Sequence, residues 1–248
     1  MHALLSQTNH RPFPLPAGGW RYRQRWCDLL FAHWPIAASI LRPFVPAELE
    51  IDEFDGTSWI GLVPFRMEGI THRLLPELPW VSAFAEMNVR IYVRHKGVPG
   101  VWFFSLDAAN QLAVWAARRY FHLPYYFAEM SVQPTADGGV AYRSKRKGVG
   151  PAAEFDGEYR PVSDVFHAKR DSLDAFLVER YCLFTKSPTG GLLRGDIQHA
   201  PWPIQRAEAN IVTNTACAAA GIELPSTPPV LHFSRRIDVI LWPFVGVR

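Results

Sequence analysis

The chain has 248 residues, 48% of them hydrophobic and 13% aromatic, which supports a sizeable core and excludes extended disorder. That length suits one large β or α/β domain, or two small ones. The 26 Lys and Arg against 23 Asp and Glu give a net charge of +3, mixed along the chain, which singles out no class of partner.

The first twenty residues, rich in Pro and Gly, read as an arm (1–20) ahead of a single domain (21–248). They lack the apolar run of a signal peptide, and no later stretch is long and apolar enough to span a membrane as a helix. A soluble, cytoplasmic protein is expected. The stretch 21–34 starts as a strand, and Pro35 suits the first turn of a short helix that Pro43 ends. Residues 57–67 form a strand in which Pro64 implies an edge, a bulge or a bend.

Residues 84–95 and 101–107 form a hairpin around a turn at 96–100. On one face of its first strand lie Met87, Val89, Ile91 and Val93. Glu86, Asn88 and Arg90 share the other face, because strand side chains alternate. That polar face either meets water or lines the inside of a barrel or cleft. In a cleft, the acid, amide and guanidinium suit a carboxylate or carbonyl ligand, since Arg matches a carboxylate with two parallel hydrogen bonds. The turn length sets Asp107 opposite Val89, and a one-residue slip sets it opposite Arg90. Asp107 is equally a candidate cap for the helix that follows.

That helix spans 109–121, with Leu112, Trp115, Ala116 and Tyr120 at helical spacing, and Pro124 ends it. Trp115 and Tyr120 are expected to pack it onto the strands. Tyr125 and Tyr126 begin the next strand, so one of them points inward, where its hydroxyl needs a partner. His122, one turn from Arg118, is a candidate ligand contact, although a lone histidine is more often structural. A second hairpin turns at Asp137-Gly138-Gly139. Its return strand carries the basic run Arg143–Lys147, read as a solvated strand edge, because no nucleic-acid motif accompanies it. Residues 172–184 read as a helix capped by Asp171 or Ser172. Strands follow around 192–200, 202–212 and 229–244. The cysteines Cys27, Cys182 and Cys217 have neither metal nor redox spacing and read as buried free thiols in a reducing compartment.

Many locally joined strands with a few inserted helices favour an antiparallel sheet system over a doubly wound one. No metal motif stands out: Asp196, His199 and His232 are scattered. A P-loop and a nucleophile elbow are missing, so no cofactor is expected.

Three segments carry a resemblance: "ILRPFVPAELEIDEFDG", the stretch from "FAEMNVRIYVRHKG" to "YYFAEMSV", and "ERYCLF" through "LLRGDIQHAPWPIQRAEANI". Together they resemble the uncharacterised bacterial YqjF-like family of the acetoacetate decarboxylase-like superfamily, over roughly 21–243. The resemblance implies a mainly β fold, a closed and mostly antiparallel β-barrel with a central pocket and peripheral helices. It is compatible with self-association, which the sequence does not specify. The decarboxylase's pocket glutamate falls on Glu86 and its pocket arginine, by a looser alignment, on Arg25. Its two adjacent lysines fall at or beside Tyr125 and Tyr126, and a phenol cannot form the imine that such a lysine makes with a ketone. The five lysines of this chain sit in turns, charged runs or loops and offer no natural substitute. The expected function is a small-molecule-binding barrel for a carbonyl or carboxylate compound. As a lyase, hydratase or isomerase it would use Glu86 with Tyr125 or Tyr126. Arg25, Asn88, Arg90, Asp107 and His122 would contact the ligand. The alternative is a non-catalytic binding or structural barrel.

Overall fold

The computed structural model describes residues 2–74 and 83–247. The mainly β expectation holds, and the strands belong to one continuous sheet. In chain order they are β1 (Tyr22–Ile36), β2 (Glu50–Ile51), β3 (Ser58–His72), β4 (Phe84–His95), β5 (Val98–Ala108), β6 (Tyr125–Pro134), β7 (Val140–Arg146), β8 (Glu154–Pro161), β9 (Cys182–Lys186), β10 (Leu192–Gln198), β11 (Gln205–Asn214), β12 (Val230–Leu241) and β13 (Val245–Gly246). Short helices intervene: α1 (His2–Ser6), α2 (Ala38–Leu41), α3 (Gln111–Ala116), α4 (Leu173–Val178) and α5 (Ala216–Ala219).

Pairing runs β5–β6–β7–β8–β11–β12–β1–β3–β4 and returns to β5, so nine strands close a ring. A second path leaves the ring at β12 and rejoins it at β5 through β10 and β9. The sheet therefore splits into two wings at β5. That strand pairs in parallel with β9 at Val101 and Trp102, and with β6 from Leu106 to Ala108. Residues 103–105 lie between the wings.

The shared wall of β4, β3 and β1 is buried on both faces. Met87, Val89, Ile91 and Val93 join one apolar cluster with Val140, Tyr142 and Phe155. Tyr92 joins a second with Phe31, Val63, Phe65, Leu177 and Trp202. Strand alternation sets Glu86, Asn88 and Arg90 on the Tyr92 side.

Several local readings change. β1 continues through Pro35 to Ile36, and the helix begins only at Ala38. Proline is tolerated there because β12 pairing ends at His33, leaving Pro35 paired to β3 alone. Pro64 does mark an irregularity: the β1–β3 register slips by one residue between Cys27↔Arg66 and Ala32↔Leu62. The first hairpin turns on two residues, Lys96 (φ +50°) and Gly97 (φ +78°), the left-handed pair of a tight hairpin turn. With a bulge between Val89 and Arg90, Asp107 then opposes Met87, not Val89 or Arg90. The helix after β5 is capped by Asn110, whose side chain accepts from the Ala113 amide at 3.0 Å, so Asp107 is free for another partner.

α3 passes into a π-helical turn over Ala117–Phe121. The wider turn breaks the 3.6-residue stripe. Leu112, Trp115 and Tyr120 stand 60–67% exposed, against expectation, because the helix turns the side with the small residues Val114 and Ala117 inward. α4, capped by Ser172, stops at Val178. The run read as its continuation is β9, apolar on both faces and so without the alternation that marks a half-exposed strand. The basic run lies on β7, which is paired on both sides and is no edge. The N-terminal arm is tied down: buried Arg11 donates to the Ile197 carbonyl at 2.6 Å and to Gln198 Oε1 at 2.8 Å. All three cysteines are buried and free.

Candidate active site

An open cleft of about 890 Å³ lies where the sheet splits, between the start of β6 and the end of β9. Its walls carry Trp102, the gap residues Phe103 to Ser105, His122 to Tyr126, Phe44 and Thr185. Among the described residues three cations also line it, Arg118, Arg146 and Lys186, and no Asp or Glu does.

Pro124 stops the π-helical turn and delivers Tyr125 and Tyr126 to the head of β6 with opposite orientations. Tyr125 lies beside Leu106, whose antiparallel partner is Asn88, so its phenol enters the Glu86 face. There the Tyr125 hydroxyl donates to Glu86 Oε2 at 2.7 Å. Tyr126 turns the other way and stacks on the Arg146 guanidinium, 3.9 Å from the ring centre. Arg146 in turn grips Asp107 with two hydrogen bonds, at 2.7 and 3.1 Å. One tyrosine thus touches the acid, and the other covers a buried ion pair.

Glu86 is 3% exposed and does not itself line the cleft. Burial pushes its carboxyl up to about 8. The Tyr125 and Asn88 hydrogen bonds pull the other way, and the Asp107 charge adds to the rise. At neutral pH Glu86 is therefore mostly the neutral acid. Tyr125 is held well above the usual phenol range, first by burial and then by Glu86. The Tyr142 hydroxyl donates to the Glu86 carbonyl at 2.8 Å and fixes this part of the strand.

The remaining expected residues scatter. Asn88 is buried beside Glu86 and hydrogen-bonds to it. Arg90 shares the face but points onward, donating to the Leu177 carbonyl at 3.3 Å over the Phe31 ring. Asp107 lies on the opposite face of the sheet from Glu86. His122 takes a left-handed backbone (φ +54°), lines the cleft, and its carbonyl accepts from Thr185 Oγ1 at 2.6 Å. Arg25 does not join them: it points away from the side chain of its neighbour Trp26 and pairs with Asp238 at 2.9 Å. Sequence reasoning also missed Arg146, read as part of a surface run. The signal was there, because Arg146 shares strand parity with Val140 and Tyr142. Lys186 does reach the cleft wall, where it is ion-paired with Glu48. Among the described residues no cluster of three or more metal-ligating side chains exists, and no helix is long and apolar enough to cross a membrane.

The fold is that of the acetoacetate decarboxylase-like proteins. It superposes on acetoacetate decarboxylase from Legionella pneumophila with a TM-score of 0.62 and 16% identity, over 96% of this chain and 92% of that one. It matches the enduracididine biosynthesis enzyme MppR complexed with pyruvate with a TM-score of 0.62 at 11% identity, over 95% and 93% of the two chains. Within that fold the chain belongs to the DUF2071 family of uncharacterized conserved proteins, whose signature matches residues 23–238. It is 48% identical over 240 residues to the uncharacterized protein YqjF of Bacillus subtilis (strain 168), covering 97% of this chain and 98% of YqjF.

Proposed function

We propose that the cleft binds a small carbonyl or carboxylate compound and that the Tyr125–Glu86 pair gives it a hydrogen bond or a proton. One observation carries this reading: Tyr125 both lines the cleft and hydrogen-bonds a buried, mostly neutral carboxylic acid. A neutral Glu86 can turn its hydroxyl toward the phenol oxygen across the same 2.7 Å, which frees the phenolic hydrogen to point into the cleft. A ligand carbonyl there meets a donor backed by a second acid, the arrangement that polarises a carbonyl for enolisation or addition. The reaction class is proton transfer next to a carbonyl, as in a lyase, hydratase or isomerase. The pyruvate complex of MppR supports the ligand class by analogy of fold alone. No amine follows Pro124, and Lys186, the lysine of the cleft lining, is ion-paired with Glu48, so this reading runs without an imine.

A carrier without turnover is the second reading, favoured by one observation: Glu86 reaches a ligand only through Tyr125. Thermal-shift titration with short keto acids and carboxylates tests binding. Saturation at a hundredfold over Kd is worth about 2.7 kcal/mol of stability, and Tyr125→Phe is expected to weaken it. No stabilisation by any ligand of this class overturns the binding reading. Exchange of α-protons of a bound keto acid with deuterated solvent, followed by NMR, separates catalyst from carrier. Borohydride added with pyruvate is expected to leave the protein mass unchanged, and a covalent adduct would refute the acid-pair chemistry.

A further inference from the structure

The charges of the cleft say more about the ligand than its acid does. Two of its three cations are already neutralised: Arg146 by Asp107 in a buried two-point pair, and Lys186 by Glu48. Of the three, Arg118 alone is uncompensated among the described residues. It is exposed on the π-helical turn at the cleft wall, and among the described residues no hydrogen bond or ion pair holds its guanidinium. Among the described residues the lining includes no acid, so these residues present one net positive charge to the contents of the cleft.

Part of the lining is apolar. Phe44 is 41% exposed and meets half-buried Phe104 edge-on at 6.2 Å, and half-buried Trp102 lines the cleft with them. Such rings left open to water gain by covering with an apolar body. A cleft of about 890 Å³ lies near the upper end for small-molecule sites, far beyond what a three- or four-carbon acid fills.

We infer that the ligand is an amphipathic monocarboxylate, with an acyl chain or aromatic ring on the Phe44–Phe104–Trp102 wall and its carboxylate on Arg118. One free guanidinium matches one negative charge and binds a planar carboxylate through two parallel hydrogen bonds, whereas a phosphate dianion would keep an uncompensated charge. This rests on the ligand-binding reading above and fixes the substrate class of the same site.

The experiment is a titration of the purified protein by intrinsic tryptophan fluorescence and calorimetry. The probes are pyruvate, butyrate, hexanoate, octanoate, 3-phenylpropionate, octanamide and octyl phosphate. Affinity is expected to rise about fourfold for each methylene covered, with octanoate and 3-phenylpropionate at least tenfold tighter than pyruvate. Octanamide and octyl phosphate are expected to bind more weakly than octanoate. Arg118→Gln should weaken octanoate about tenfold or more and leave octanamide unchanged, and Phe104→Ala should flatten the chain-length series. Pyruvate binding as tightly as octanoate overturns the amphipathic ligand while the binding reading stands. Octyl phosphate binding more tightly than octanoate overturns the carboxylate. An Arg118→Gln protein with unaltered octanoate affinity overturns the anchor. Binding of none of the probes overturns this inference and the binding reading together.

Discussion

Glu86→Gln should remove a pH dependence of stability that the native side chain imposes. The carboxyl titrates at 4.5 when unfolded and at about 8 in the folded protein. Between those values the folded state holds a proton that the unfolded state has released. Stability therefore falls with rising pH across that window and is level outside it. Each pH unit in the window costs about 1.4 kcal/mol, so the fall amounts to about 3 kcal/mol by pH 7 and about 4 kcal/mol by pH 8, and levels off near about 5 kcal/mol above that. Glutamine keeps the shape and accepts the Tyr125 hydrogen bond, yet never ionises. Other buried groups titrate too. The histidines His33, His199 and His232, all pushed down by burial, raise stability with pH over their own range. They are common to both proteins, so the informative quantity is the difference between the variant and the parent. Urea unfolding at pH 5, 6, 7, 8 and 9 supplies it. The two proteins should lie within about 1 kcal/mol at pH 5, and Glu86→Gln should lead by several kcal/mol at pH 8 and above. Parallel curves would mean that Glu86 is ionised in the fold, and the neutral-acid role would fall with them.

Two further outcomes follow from burial. Arg146→Met should destabilise by about 3–5 kcal/mol in urea unfolding, because it strands the Asp107 carboxylate 1% exposed. Asp107→Asn added to it should recover a large share, whereas an equal loss in both variants would show that packing against Tyr126 matters more than the charge pair. Trp115→Ala should change the unfolding free energy by less than about 0.5 kcal/mol, given its 60% exposure. A loss of 2 kcal/mol would mean that the helix face is covered.

The strands were legible wherever one alternation ruled. β4 and β5 announced themselves through period-two patterning and the Lys96-Gly97 turn, and β6 and β7 through Asp137-Gly138-Gly139. Errors came where a second constraint overrode the pattern. β9 is buried on both faces, so its apolar run imitates the end of a helix. Pro35 looked like a helix start, because nothing local tells that β12 has ended two residues earlier. The 111–121 segment has a helical stripe on paper, yet the helix buries the small Val114 and Ala117 and leaves Leu112, Trp115 and Tyr120 outside. Register erred at the turn and at the bulge: two left-handed residues in place of five, with a bulge between Val89 and Arg90, set Asp107 opposite Met87, not Val89 or Arg90.

The site divides along the same line. Strand parity put Glu86 and Asn88 on one face and the helix-ending proline put one of Tyr125 and Tyr126 inward without saying which; the hydrogen bond to Glu86 falls to Tyr125. Arg118, Lys186 and Phe44 were not legible, because the cleft exists only where β5 passes from one wing of the sheet to the other, and no local pattern records a gap between wings. The tyrosines at 125 and 126 connect the two halves. Had an ammonium occupied position 125, it would have offered Glu86 a partner charge and favoured its ionised form. A phenol offers a hydrogen bond and no charge, so burial decides and the acid stays protonated to about pH 8. A tyrosine at this place therefore leaves the buried acid holding its proton, with an uncharged hydroxyl between it and the cleft.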